Sequence, residues 1–205
     1  WNSVRITVPS VIMSILIASV NGYALANWRF KGANLFFTIL IVGAFIPYQV
    51  MIYPIVIILR EMGIYGTLTG LVIVHTIFGM PINTLLFRNY FASVPEELFK
   101  AARVDGAGFW SIYLRIMLPM SLPIFVVSMI IQVTGIWNDF LFGVVYTRPE
   151  TYPMTVQLNN IVNSVQGVKE YNVNMAATLL TGLVPLFIYF VSGKLFVRGI
   201  AAGAV

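Results

Sequence analysis

EELFKAARVDGAGFWSIYLRIMLP, Glu96 to Pro119, turns charged and then rich in alanine and glycine inside a chain that is otherwise oily. Ser93-Val94-Pro95-Glu96 has the form of a capping box, with Ser93 expected to cap a helix start and Pro95 suited to its first turn. Glu96 and Glu97 stand where the positive end of a helix dipole favours acids. The spacing predicts a helix to about Asp105, ended by Gly106 as C-cap. Leu98, Ala101, Ala102 and Asp105 follow helical spacing, and the two alanines predict a small flat patch that another surface can approach. A second short helix around Phe109–Arg115 is expected to lead through Pro119 into apolar sequence. On these residues alone, the segment reads as a docking helix–turn–helix or as an amphipathic helix lying on lipid.

The chain has 205 residues, of which 59% are hydrophobic and 9% charged, with a mean hydropathy of +0.89. Soluble domains carry roughly 25% charged residues, so this composition implies a polytopic, all-helical membrane protein. Absence of cysteine excludes disulfides and thiolate chemistry. The net charge of +5 is spread thinly between apolar runs, as in membrane loops, and does not point to nucleic acid. The start at Trp1, without a signal peptide, suggests that the sequence begins inside a longer protein.

Five stretches reach the roughly 20 apolar residues needed to cross a bilayer. They run over about Ile6–Ala26, Leu35–Leu59, Ile64–Phe87, Ile116–Tyr146 and Val173–Val197. If these alternate, Arg29, Lys31, Arg88, Lys100, Arg103, Arg115, Lys194 and Arg198 fall on one face, and Arg5, Arg60, Arg148 and Lys169 on the other. The positive-inside rule then puts Glu96–Pro119 in the cytoplasm and Trp1 outside; a further span before Trp1 would restore a cytoplasmic start. Pro47 and Pro54, Pro81, Pro119 and Pro123, and Pro185 are expected to interrupt four of the spans. Together with Gln49, Asn83, Gln132, Asn138 and Asp139 at membrane depth, these breaks favour a pathway over plain anchors. Trp137-Asn138-Asp139 suits a sugar, which takes stacking on a ring face and hydrogen bonds at its hydroxyls; an interfacial tryptophan beside a hydrated acid is the alternative. His75, the single histidine, reads as a hydrogen-bonding residue between helices. The polar stretch 147–172 is an external loop on this scheme.

Lys100-Ala101-Ala102, three residues, Gly106, nine residues, then Ile116-Met117-Leu118-Pro119 resembles the EAA motif of ABC importer permeases. Pro95-Glu96-Glu97-Leu98, Asp105-Gly106-Ala107, Trp137-Asn138-Asp139-Phe140, Phe196-Val197-Arg198-Gly199-Ile200 and Gly203-Ala204 bring it nearer the carbohydrate-uptake subgroup, the permeases similar to that of the maltose transporter. The resemblance implies a MetI-like transmembrane domain, a single permease domain over 1–205, with five spans of an expected six. It implies a coupling loop at about 93–117 that sits in a cleft of an ATP-binding subunit. Glu96, Glu97, Lys100, Ala101, Ala102, Asp105, Gly106, Ile116, Leu118 and Pro119 would carry that coupling. It further implies alternating access driven by two ATP-binding subunits, a second homologous permease, an external solute-binding protein, and the inner membrane of a prokaryote. The motif's first residue is usually glutamate; here it is Lys100, and Glu96 or Glu97 is the expected substitute.

No phosphate loop, nucleophile elbow, zinc pattern or dinucleotide fingerprint occurs, so no catalysis, metal or cofactor is expected in this chain, with ATP and Mg assigned to a partner. An ion-coupled secondary transporter or channel is the rival reading, and it would rest on Asp139 and His75.

Overall fold

A computed structural model describes residues 1–28, 30–163 and 171–202, with 194–202 described by backbone alone. Arg29, Lys169, Gly203 and Ala204 lie outside the described residues, as do the side chains of Lys194 and of Phe196–Ile200. Helices in chain order are α1 (Asn2–Asn27), α2 (Ala33–Ala44), α3 (Tyr48–Glu61), α4 (Leu68–Ala92), α5 (Glu96–Val104) and α6 (Phe109–Ile112). After a π-helical turn at Tyr113–Met117 come α7 (Leu118–Met120), α8 (Leu122–Trp137), α9 (Leu141–Tyr146), α10 (Met154–Val162) and α11 (Tyr171–Ala202). Among the described residues there is no strand, and Gly66 and Thr147 form an isolated bridge.

Among the described residues, three helices are long and apolar enough to cross a membrane as single pieces: α1, α4 and the Tyr171–Gly193 part of α11. The other two expected spans are broken pairs, α2 with α3 and Phe109–Met120 with α8, which bring the number of spans to five if each pair is one span. The prolines differ in effect. Pro54, Pro81 and Pro185 lie inside continuous helices, against the expectation that each interrupts its span. Breaks occur where a proline meets non-helical backbone. Pro47 holds φ −56° and ψ 118° ahead of α3, and Ser121 lies between Pro119 and Pro123, where the chain bends by 76°. The expected span Ile116–Tyr146 also ends early, because α8 stops at Trp137 and α9 restarts at Leu141.

The helices divide into two compact units. One contains Trp1–Val11, Pro47–Thr76 and Ile130–Val191. Its core is built on Ile6, Leu59, Leu71, Tyr146 and Val156. Asn2 donates to the carbonyls of Glu150 and Tyr152 at 3.1 and 3.2 Å, and the Met154 amide donates to Ser3 Oγ at 2.7 Å, fastening the start of α1 to the entry of α10. A 3-10 turn at Pro149–Thr151 and α10 give the described part of the stretch 147–172 regular structure. Gly143 is closely covered, since a Cβ there would stand 2.6 Å from Pro153 Cγ.

The second unit contains Ile12–Ile46, Ile77–Met129 and Ser192–Val205. Here α1 lies directly on α4: a Cβ at Gly22 would come within 2.5 Å of Phe87 Cβ and 2.7 Å of the Arg88 nitrogen. Ser19 and Tyr113 share a 2.6 Å hydrogen bond that ties α1 to the π-helical turn. Large apolar side chains nonetheless remain exposed, among them Leu35, Ile39 and Val42 on α2, and Leu183, Phe187 and Phe190 on α11 in the first unit. Exposed apolar area on this scale needs lipid or a partner to cover it.

Candidate functional site

The segment Glu96–Pro119 lies within the second unit. Pro95, with φ −55° and ψ 128°, opens α5 without a side-chain cap, and Glu96 and Glu97 occupy its first turn, where they complement the helix dipole. Ser93 does not form the expected capping box. Its hydroxyl donates back to the Tyr90 carbonyl at 2.7 Å and so closes α4 instead of opening α5. The other end follows expectation in detail. Gly106 has φ +80°, its amide reaches the Arg103 carbonyl at 3.1 Å, and the Ala107 amide reaches the Ala102 carbonyl at 2.9 Å. That bond pair is the Schellman motif, which requires a left-handed residue and therefore favours glycine.

The two alanines differ in exposure. Ala102 is buried with Phe99, whereas Ala101 is exposed, and both line the groove beside α5. Adjacent residues on a helix are 100° apart, which turns Ala102 toward Phe99 while Ala101 stays on the exposed side. The outer face carries Glu97, Leu98, Ala101, Val104 and Asp105, with Val104 87% exposed. A groove of about 640 Å³ runs beside it, lined by Leu98, Ala101, Asp105, Gly106, Arg115 and Ile116 among others. Leu118 is half-buried and Pro119 exposed, beyond this groove. Glu96 and Lys100 pair with each other at 3.0 Å, both about two-thirds exposed, and line a different cleft.

An aromatic cluster holds the inner face, and the apolar spacing alone gave no sign of it. Trp28 meets Phe99 edge-on at 5.5 Å and Phe109 at 5.3 Å. Tyr23 meets Phe109 at 4.8 Å, Tyr113 at 5.4 Å and Phe91 at 6.0 Å. The Arg103 guanidinium lies 5.3 Å from the Trp28 ring, within cation–π range. Ring contacts thus run without interruption from Phe99 of α5 through Trp28 and Phe109 to Tyr23, Tyr113 and Phe91. The signal available in sequence was an aromatic residue near the end of each helix that meets here.

The polar residues expected at membrane depth divide between the units: Gln49, Gln132, Trp137, Asn138 and Asp139 belong to the first, and Asn83 to the second. Gln49 and Asn138 are exposed. Asn83 is buried and donates to the Gly79 carbonyl at 2.8 Å. Trp137 is buried, and its indole N–H donates to the Thr181 carbonyl at 2.9 Å, which ties α8 to α11. Asp139 works as a helix cap: its carboxylate accepts the amides of Phe142 at 3.2 Å and Gly143 at 2.9 Å. His75 Nε2 stands 3.7 Å from Asp139 Oδ2, within ion-pair range, and the His75 ring contacts Phe142 at 5.7 Å. Gln132 Nε2 lies 3.5 Å from the His75 carbonyl. His75 and Asp139 were each singled out in sequence, but their pairing was not, although two ionisable groups in apolar surroundings each need a partner.

A family profile described as a binding-protein-dependent transport system inner membrane component matches residues 10–202. A probable ABC transporter permease of Pyrococcus horikoshii is 46% identical over 164 residues, covering 80% of this chain and 59% of that protein. The osmoprotective compounds uptake permease GgtD of Synechocystis is 34% identical across 100% of this chain and 68% of its own length. The alpha-glucoside transport system permease AglG of Rhizobium meliloti is 33% identical across 100% of this chain and 55% of its own. This chain thus spans a little over half to about two-thirds of these relatives. In fold it is similar to a chain of a bacterial ABC transporter involved in alginate import, with a TM-score of 0.74 at 21% identity over 94% of this chain and 72% of that one. It is likewise similar to the MetNI methionine ABC transporter in an inward-facing form, with a TM-score of 0.73 at 17% identity over 97% and 93%.

Proposed function

Because the chain belongs to the family of binding-protein-dependent transport system inner membrane components, we propose that it is the permease subunit of an ATP-driven importer that moves a sugar or polyol across the inner membrane by alternating access. It acts as a transport component and not as an enzyme. ATP and Mg bind to two separate ATP-binding subunits, a second homologous permease completes the pathway, and an external solute-binding protein delivers the substrate. Support for the carbohydrate class comes from relatives named for sugars, including alpha-glucosides, xylose or arabinose, and arabinooligosaccharides.

The observation that carries the coupling role is the form of α5. It is a short helix closed by Gly106, its outer face open beside a groove and its inner face packed through Phe99 on Trp28, which in turn meets Phe109. Closure of the ATP-binding subunits would push on Ala101 and its neighbours, and the aromatic cluster would carry that push into α1 and α4. An ion-coupled transporter would instead need a carboxylate free to exchange an ion with water. Asp139 has both oxygens engaged by the amides that open α9.

The test is uptake by proteoliposomes holding the full assembly. Uptake is expected to require ATP hydrolysis and to be indifferent to an imposed proton gradient. Uptake that a proton gradient drives without ATP would overturn the reading. A thermal-shift screen of the cognate solute-binding protein across sugars and polyols identifies the substrate.

A further inference from the structure

Two clefts adjoin at the end of α1, sharing Ala26 and Trp28. The larger, of about 600 Å³, runs between α1 and α5 and carries Glu96, Lys100 and Arg103 together with Asn27 and Phe99. The smaller, of about 420 Å³, is lined by Leu25, Phe30, Gly32, Ala33, Asn34 and Leu35, which are mostly apolar. Lys31, exposed, stands in the chain between Phe30 and Gly32 of the smaller cleft. The Asn27 side-chain oxygen is buried without a hydrogen-bond partner at this junction. Charged side chains on one side of Trp28 and mostly apolar side chains on the other call for an amphipathic occupant. Two of the three charged side chains in the larger cleft are cations, and Glu96 is already held by Lys100 at 3.0 Å.

We propose that these two clefts together form a binding site for an anionic phospholipid. Lys100 and Arg103 receive its phosphate, Lys31 adds charge at the rim, and the first part of an acyl chain lies along Leu25, Phe30 and Leu35. Tryptophan suits the boundary, since its ring is favourable between headgroup and hydrocarbon. The occupant would lean on the inner side of α5, opposite the groove, and so bias the coupling helix from the lipid side.

The test uses the full-length protein in its complete assembly, placed in nanodiscs of phosphatidylcholine with a minor fraction of brominated phosphatidylglycerol or brominated phosphatidylcholine. Tryptophan quenching is read against the Trp28→Phe variant, so that only the Trp28 signal counts. Brominated phosphatidylglycerol is expected to quench Trp28 at a lower mole fraction than its phosphatidylcholine counterpart. Lys100→Gln is expected to raise the required fraction about fivefold, and Lys31→Gln to do the same or less. Lys100 is exposed, so its replacement leaves folding intact and keeps the comparison clean. Equal quenching by the two lipids would overturn the site, as would quenching by neither or quenching that both variants leave unchanged.

Discussion

Lys100 carries the opposite charge from the glutamate that begins this motif elsewhere in the resembled family, and its partner is on its own helix. The Lys100–Glu96 pair is exposed and one turn long, worth only a few tenths of a kcal/mol. Its consequence is selective: Glu96 is engaged, while Glu97 lies on the same outer face as Ala101 and Val104. Glu97→Gln is therefore expected to weaken association with the ATP-binding subunit by about fivefold, on the order of 1 kcal/mol, and Glu96→Gln by less. Titration of the purified assembly with labelled ATP-binding subunit measures both, and equal losses would refute the assignment. Gly106 supplies a different residue-scale test. A Cβ there would meet nothing within 4 Å, so substitution costs conformation and not space. At φ +80°, Gly106→Ala is expected to cost about 1–2 kcal/mol, read as roughly tenfold faster hydrogen exchange over Ala107 and the last turn of α5. Unchanged exchange would mean that the left-handed cap contributes nothing.

Between α6 and α8 the helix is widened before it breaks, and Pro119 explains both. Proline has no N–H for the Arg115 carbonyl and its ring would strike that carbonyl in an α-helix. The chain instead forms the π-helical turn, with the Leu118 amide reaching the Tyr113 carbonyl five residues back. At the bend, the Ser121 hydroxyl returns to the Leu118 carbonyl at 2.8 Å, and Tyr90 from α4 donates to the Met120 carbonyl at 2.6 Å. A side chain from another helix thus supplies the bond that the broken helix lacks, as membrane surroundings demand. Tyr90→Phe is expected to cost about 1 kcal/mol and to speed hydrogen exchange over Leu122–Phe125 several-fold, measured on the assembly in nanodiscs. Protection that stays the same would show that the bend holds without Tyr90.

Across the whole chain, what the sequence made legible was what depends on near neighbours. The long helices α1, α4 and α11 lie within a few residues of the expected spans, because runs of apolar residues of that length have no other stable state in a membrane. The Gly106 cap was legible because its geometry is local. The burial of Ala102, the aromatic cluster around Trp28 and the pairing of His75 with Asp139 were not, since each is made by elements far apart in the chain. The stop after Trp137 falls at Asn138-Asp139, and it was hidden because a polar pair inside a long apolar run reads as a ligand site as readily as the cap of α9 that Asp139 forms. Charge, by contrast, is distributed at the scale of the whole molecule. Among the described residues, Arg5, Arg60 and Arg148 belong to the first unit, and Lys31, Arg88, Lys100, Arg103, Arg115, Lys194 and Arg198 to the second. From that asymmetry the positive-inside rule predicts that the loops of the second unit face the cytoplasm. The chain has no cysteine, so a single introduced one reports its own side without background. Ser93 and Asn163 are both exposed, the first in the second unit and the other in the first. In intact cells, a membrane-impermeant maleimide is expected to label Asn163→Cys directly and Ser93→Cys only after the membrane is opened. Labelling of Ser93→Cys from outside would invert the topology and detach α5 from any cytoplasmic ATPase.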